Sequence, residues 1–192
     1  MQTMPFKGDE ALIKMIDQAV TKDSSEAITA AIKQGLCELV GKREVKLPEC
    51  CLAPVDGHYA RRLLYRSEEH GYSVVAMTWG PEQGTPIHDH GGLWCVEAVC
   101  CGRIKVVQYE LEKEEGSLCY FENQGEQLAE VGTAGCLIPP HEYHTIHNAC
   151  GTDTAVTLHI YADELDCCCT FTPTDKPGWY ERERKDLGYD AA

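Results

Sequence analysis

The chain has no run of about 18 apolar residues, the length a helix needs to cross a bilayer, so nothing in it reads as a membrane span. It is short of positive charge. Its 17 Lys and Arg face 31 Asp and Glu, a formal net of −14, whereas a nucleic-acid partner calls for a basic face. Its first residues, MQTMPFKGDEALIKM, lack the apolar core of a secretory signal, which predicts a cytoplasmic protein. There is no repeat at solenoid period and no low-complexity segment. The paired CxxC spacing of a structural zinc site is missing too. A small anionic ligand would therefore have to find a locally placed cation.

Cysteine is plentiful, with 12 residues. Several are adjacent: Cys50-Cys51, Cys100-Cys101 and Cys167-Cys168-Cys169. Adjacent cysteines rarely bridge one another, and no export signal is visible, so reduced thiols in packing roles are expected. The triplet reads as packing first and redox-sensitive second.

A chain of 192 residues, 43% hydrophobic and 25% charged, is long enough for one domain with a core. Helical spacing of Leu12, Ile13, Ile16 and Val20 predicts a helix over about 9–20. Ile28, Ile32, Leu36 and Leu39 predict a second over about 25–39, capped by Ser24 or Ser25. From His58 onward the pattern becomes β. GYSVVAMTW, LWCVEAVC, RIKVVQYEL, GCLIP and TAVTLHIY are short strand-like runs separated by Gly, Pro, Asn or charged turns. EKEEGSLCYFENQGEQ reads as a polar hairpin connection. The expected organisation is one domain, 1–192. Helices occupy 1–45, a β-barrel 46–172, and a polar tail laid over the barrel 173–192.

The chemistry concentrates in two stretches. In TPIHDHGGLWCVEAVCCG, His88 and His90 are two residues apart and can aim both imidazoles to one side of a strand, with Asp89 turned away. In GTAGCLIPPHEYHTIHN there are three histidines, His141, His144 and His147. Together the two stretches resemble the paired motifs of the cupin fold: HDH, a gap to position 95, then Gly102; and Pro139, His144, Asn148. The resemblance implies a mainly β, jelly-roll-type cupin barrel behind two N-terminal α-helices. It makes His144 the third metal ligand beside His88 and His90, with His141 and His147 loop or surface residues. Two departures stand out: Cys95 occupies the place of the usual cupin glutamate, and His141 that of a glycine. Three neutral imidazoles suit Fe, Zn, Cu or Ni, and they leave the metal's charge open to an anionic ligand.

With Cys95 in that place, the chain resembles the cysteine dioxygenase family from about Tyr59 to Cys168. The residues that carry the likeness are HYARRLL, WGPEQGTPIHDH, Cys95, HTIHN and AVTLHIY. The resemblance implies Fe(II) on His88, His90 and His144, and a thioether joining Cys95 to Tyr161. It implies that Arg61 holds a substrate carboxylate, with Tyr59 beside it. Strand alternation puts Thr157, His159 and Tyr161 on one face, as a hydrogen-bonded relay with the phenol aimed at the metal's open side. The family usually has Ser at position 157. Dioxygenases of 3-mercaptopropionate usually carry Gln and Gly where this chain has Arg61 and Cys95. Trp94, however, resembles that group, and is read as a wall of the substrate pocket or as a residue that packs against the barrel. Cys168 falls where the family often has a cysteine near the pocket mouth.

The resulting expectation is a monomeric, cytoplasmic non-haem Fe(II) enzyme taking L-cysteine and O2 to cysteine sulfinate, with no nucleic-acid or membrane partner. Two alternatives remain: a dioxygenase of another small thiol acid such as 3-mercaptopropionate, and a non-catalytic cupin that binds metal or ligand.

Overall fold

The computed structural model of the protein describes residues 4–191. Two helices come first, α1 (Asp9–Ala19) and α2 (Ser25–Gly41), then a short 3-10 turn at Glu49–Leu52. Eleven strands follow: β1 (Ala60–Arg66), β2 (Ser73–Trp79), β3 (Ile87–His88), β4 (Cys95–Cys101), β5 (Arg103–Glu115), β6 (Leu118–Glu130), β7 (Ala134–Leu137), β8 (His144–Asn148), β9 (Ala155–Tyr161), β10 (Cys167–Pro173) and β11 (Trp179–Asp186).

Both helices form where the apolar spacing places them. Ser24 caps α2, its Oγ accepting the Ala27 N–H at 3.2 Å. Leu12 and Ile16 of α1 and Ile32 and Leu36 of α2 are buried, and α2 lies across β4 and β7. No helix of the described residues is long and apolar enough to cross a membrane.

The strands make two antiparallel sheets. One runs β1-β2-β9-β4-β7; the other runs β10-β11-β6-β5-β8-β3, with β3 also pairing to β10. This is the jelly-roll arrangement of a cupin, mainly β with two helices in front. In β2 and β9 every residue is buried, because both faces of this sheet are covered. Val74, Ala76, Val96, Ala98, Leu158 and Ile160 pack with the helices. Val75, Met77, Trp79, Cys95 and Tyr161 point the other way and pack with Ile104 and Ile146 of the second sheet. Between β4 and β5 the chain reverses at Gly102, whose φ is +72°. A Cβ there would also lie 2.6 Å from Cys150 Sγ, so glycine meets both demands.

Two segments differ from the sequence-based expectation. The polar connection is mostly strand: β5 runs to Glu115 and β6 starts at Leu118, leaving only Gly116 and Ser117 for the turn. The charged residues there are exposed on both sides of a ribbon, which erases the apolar alternation that marks a half-buried strand. The tail also contributes a strand. Residues of β11 pair with β10 and with β6, although only Trp179 among them is buried. Backbone hydrogen bonds hold this strand, and they leave no trace in the side-chain pattern.

Candidate active site

His88 and His90 flank the end of β3, and His144 opens β8, directly opposite His88 in the pairing. One ring nitrogen from each of the three lies within 4.8 Å of the others. His88 donates from Nδ1 to the carbonyl of Pro86 at 3.2 Å, which leaves its Nε2 bare. That Nε2 faces Nε2 of His144 at 3.1 Å. Nδ1 of His90 and Nδ1 of His144 are buried without a partner. Burial holds His88 below the ordinary histidine range, and His90 and His144 well below it, so the rings are neutral near pH 7, the form that binds metal. Asp89 is turned away, as strand alternation requires. Its Oδ1 accepts the Cys169 N–H at 2.8 Å and the Gly91 N–H at 3.1 Å.

Next to the triad stands the face of β9 that carries Thr157, His159 and Tyr161. Thr157 Oγ1 and His159 Nε2 are 2.7 Å apart, and His159 Nδ1 is 3.4 Å from the Tyr161 hydroxyl. Trp79 Nε1 donates to Thr157 Oγ1 at 2.8 Å. Tyr161 sits with its ring centroid 6.0 Å from that of His90. Burial pushes its phenol well above the usual tyrosine range, so the hydroxyl keeps its proton. Cys95 is directly opposite Tyr161 in the β4–β9 pairing. It is fully buried, and its thiol too is pushed well up.

Arg61 of β1 is 4% exposed. Its guanidinium donates to the carbonyls of Gly188 and Leu165, both at 3.0 Å, and its Nε–H is buried with no acceptor. Among the described residues no carboxylate forms an ion pair with it. Tyr59 stacks on Trp79 with ring centroids 4.6 Å apart. A cavity of about 20 Å³ brings these groups together, lined by Tyr59, Arg61, His88, His144, His159 and Tyr161 among others. A wider vestibule of about 370 Å³ shares Tyr59, His88, Cys168 and Leu187 with it.

A model of the cysteine dioxygenase type I family matches residues 51–174. The chain belongs to that family. It is similar to cysteine dioxygenase type 1 of Danio rerio, with 24% identity over 114 residues, 59% of this chain and 55% of that protein. The Rattus norvegicus protein of the same name is 22% identical over 100 residues, 52% and 49% of the two chains. The chain thus spans about half the length of the curated relatives it matches. Among solved structures, an uncharacterized conserved protein with a double-stranded β-helix domain from Klebsiella pneumoniae has a TM-score of 0.46 and 16% identity. That similarity covers 59% of this chain and 79% of the other.

Of the residues singled out in the sequence, Tyr59, Arg61, His88, His144, His159 and Tyr161 line one cavity; His90, Thr157 and Cys95 adjoin those residues without lining it, and Trp94 is apart from them. It is partly buried against the core beneath the helices and is not among the residues lining the cavity. The reason is strand alternation: Cys95 points inward, so its neighbour points outward. Cys95 itself is one layer back, against His159 with Sγ to Nδ1 at 3.9 Å. His141 is exposed and pairs with Glu110 at 3.0 Å, and His147 packs on Gly84. The cysteine triplet is split by alternation. Cys168 is buried and lines the mouth, its thiol pushed up to about 11 by burial, whereas Cys167 Sγ accepts from Arg184 at 3.3 Å. Sequence reasoning missed Trp79, Leu165, Leu187 and Glu97. Glu97 had a visible signal, an acid in step with Cys95 in a run otherwise apolar.

Proposed function

We propose that the protein is a thiol dioxygenase that converts L-cysteine and O2 to cysteine sulfinate. One observation carries the reading: a buried guanidinium without a carboxylate partner shares a cavity with two of the three converging imidazoles, His88 and His144, and with the phenol of Tyr161. Burying a charged group unpaired is costly. A ligand carboxylate is the natural acceptor, since it fits the planar donor fork of arginine.

The three imidazoles fit a metal. They are neutral, one ring nitrogen of each lies within 4.8 Å of the others, and Nε2 of His88 and Nε2 of His144 stand face to face. A set of three nitrogens without a carboxylate is compatible with iron(II). Bound there, iron(II) would supply open coordination positions that bring a thiolate and O2 together, the four electrons that O2 takes coming from the substrate sulfur.

The protein's own residues do the rest. Arg61 holds the substrate carboxylate, with Tyr59 fixed against Trp79 beside it. The guanidinium is buried, which strengthens that ion pair. His159, held by Thr157 at its far nitrogen, steadies the phenol of Tyr161. The phenol keeps its proton and donates it toward the reacting groups. Cys95, opposite Tyr161, is placed for a thioether to that ring. The S–H and one ring C–H would be lost, the S–C bond formed, and both electrons and both protons passed to O2. The crosslink would hold the ring still and remove a free thiol. With Trp94 outside the cavity, nothing lining it favours 3-mercaptopropionate over L-cysteine.

The test is O2 consumption by the Fe(II)-loaded protein with L-cysteine and with 3-mercaptopropionate, the products identified by mass. Sulfinate from L-cysteine, with a KM raised about tenfold or more in Arg61→Ala, supports the reading. Sulfinate from 3-mercaptopropionate alone overturns the substrate. No uptake with either thiol points to a non-catalytic cupin.

A further inference from the structure

The Thr157–His159–Tyr161 row has a second side. Glu97 lies on the same face of β4 as Cys95 and is directly opposite His159 in the β4–β9 pairing. Its Oε2 is 3.6 Å from His159 Nδ1 and makes no hydrogen bond. The residue is 8% exposed. A partnerless carboxylate at such depth is destabilising, and an apolar residue would serve the core better. Glu97 also lines a cavity of about 180 Å³ together with Thr157, Leu137, Ile146 and Gln108. His159 and Tyr161 line the substrate-side cavity instead, and Ile146 lines both. At that size the second cavity has room for several waters.

The donors limit where the hydrogens sit. Trp79 Nε1 can only donate, and it gives its hydrogen to Thr157 Oγ1. The Thr157 hydroxyl is then free to donate to His159 Nε2. Thr157 can also accept a second hydrogen, so the row by itself leaves both tautomers open; with Nε2 accepting, the hydrogen of a neutral ring sits on Nδ1. Nδ1 faces the Tyr161 oxygen at 3.4 Å and Glu97 at 3.6 Å. In this tautomer the ring donates toward the phenol oxygen, and the phenol's own hydrogen is left for the substrate side. In the other tautomer Nδ1 would accept that hydrogen and turn it inward.

We infer that Glu97 is a positioning residue whose carboxylate, hydrated from the cavity behind it, holds His159 in the Nδ1–H tautomer and so keeps the Tyr161 O–H aimed at the substrate. The inference rests on the role given to Tyr161 above. Burial pushes the Glu97 carboxyl up to about 7. The titratable groups facing it are Cys95 on its own strand, His159 and Tyr161 on β9, and Cys136 on β7. No lysine or arginine is among them.

The test reads the tautomer directly. Metal-free protein labelled with 15N in histidine is titrated from about pH 5 to about pH 9 by NMR, with the His159 signals assigned through His159→Asn. In the unmutated protein the hydrogen is expected on Nδ1 at high pH, and the two tautomers should mix as the Glu97 carboxyl takes up its proton. Glu97→Leu should show the mixture at every pH, and Glu97→Gln, neutral like the protonated carboxyl, should hold the low-pH mixture at every pH. In turnover of L-cysteine, Glu97→Leu should lower kcat about tenfold with KM within about twofold, and Glu97→Gln should lower it in the same sense. A His159 tautomer that ignores both pH and Glu97→Leu overturns the inference, as does a KM that moves with kcat. The pH series needs no substitution, so a variant that fails to fold leaves it decided. If no thiol turns over in the unmutated protein, the proposed function falls, and the tautomer still judges Glu97.

Discussion

Arg61 and Asp190, 129 residues apart, are tied to one another twice. The Arg61 N–H donates to Asp190 Oδ2 at 2.8 Å, and the Asp190 N–H donates to the Arg61 carbonyl at 2.7 Å. Between those anchors the Gly188 carbonyl takes a guanidinium hydrogen at 3.0 Å, and the Tyr189 ring lies under the guanidinium at 5.2 Å. The last described residues therefore fix how the substrate-side cation is held. Asp190→Ala removes an acceptor from Arg61 and from His58. At about 1 kcal/mol per hydrogen bond lost, we expect KM for L-cysteine to rise about fivefold with kcat nearly kept. Amide exchange around 187–190 should quicken. An unchanged KM alongside faster exchange would show that the tail does not position Arg61.

The triad should behave as one site. His144→Ala and His90→Ala are each expected to reduce bound metal from one equivalent to near none, measured by elemental analysis after loading with Fe(II) under nitrogen. His141→Ala and His147→Ala should leave the content unchanged. Loading the unmutated protein should raise its melting temperature, because a ligand that binds only the folded state stabilises it. Equal metal content in His144→Ala would overturn the assignment.

Cys95 and Tyr161 face each other across β4 and β9, the neighbour relation with the shortest side-chain separation in an antiparallel sheet. After turnover in air, intact mass should fall by two hydrogens, and the peptides holding Cys95 and Tyr161 should travel together after digestion. Cys95→Ser should show neither change. A mass that never shifts, despite turnover, would exclude the thioether.

Stability of the metal-free protein should be pH-dependent from both sides. His159 is held down to about 3 by burial, and His88, His90 and His144 are also lowered. The unfolded chain takes up these protons near pH 6.5 while the folded one resists, so stability falls as pH drops below about 6.5. Glu97 acts in the opposite sense. Its pKa is raised to about 7, so its stabilising share is full below about pH 4.5 and lost as pH rises through 7. The urea midpoint is therefore expected to peak around pH 6–7. Glu97→Gln should raise the unfolding free energy at pH 8 by roughly 1–3 kcal/mol, and bound metal should shift the acid limb downward. A midpoint flat across this range would contradict the burial of these groups.

The local pattern carried most of the fold. Helical spacing marked α1 and α2 nearly to their ends, and alternation sorted β9 into a helix-facing and a cavity-facing row. It failed at β11 and along β5–β6, where strands are exposed and their side chains follow no apolar period. Trp94 packs away from the cavity for a different reason. Its reading as a pocket wall was drawn from likeness to related pockets, while the alternation beside Cys95 already turned that side chain out.

By itself the sequence determined the chemistry available: two histidines two residues apart, a second cluster of three, a thiol where an acid is usual, and a hydroxyl, an imidazole and a phenol on one strand face. These are consequences of local geometry, in which residues two apart share a side. The tertiary structure decided which groups meet. It selected His144 from three histidines by the register of β8 against β3, set Cys95 opposite Tyr161, brought Glu97 under His159, and folded 187–190 back onto Arg61. Those relations join residues 50 to 130 positions apart (on the order of separations no periodicity spans), and they are set by strand pairing and the closing of one core.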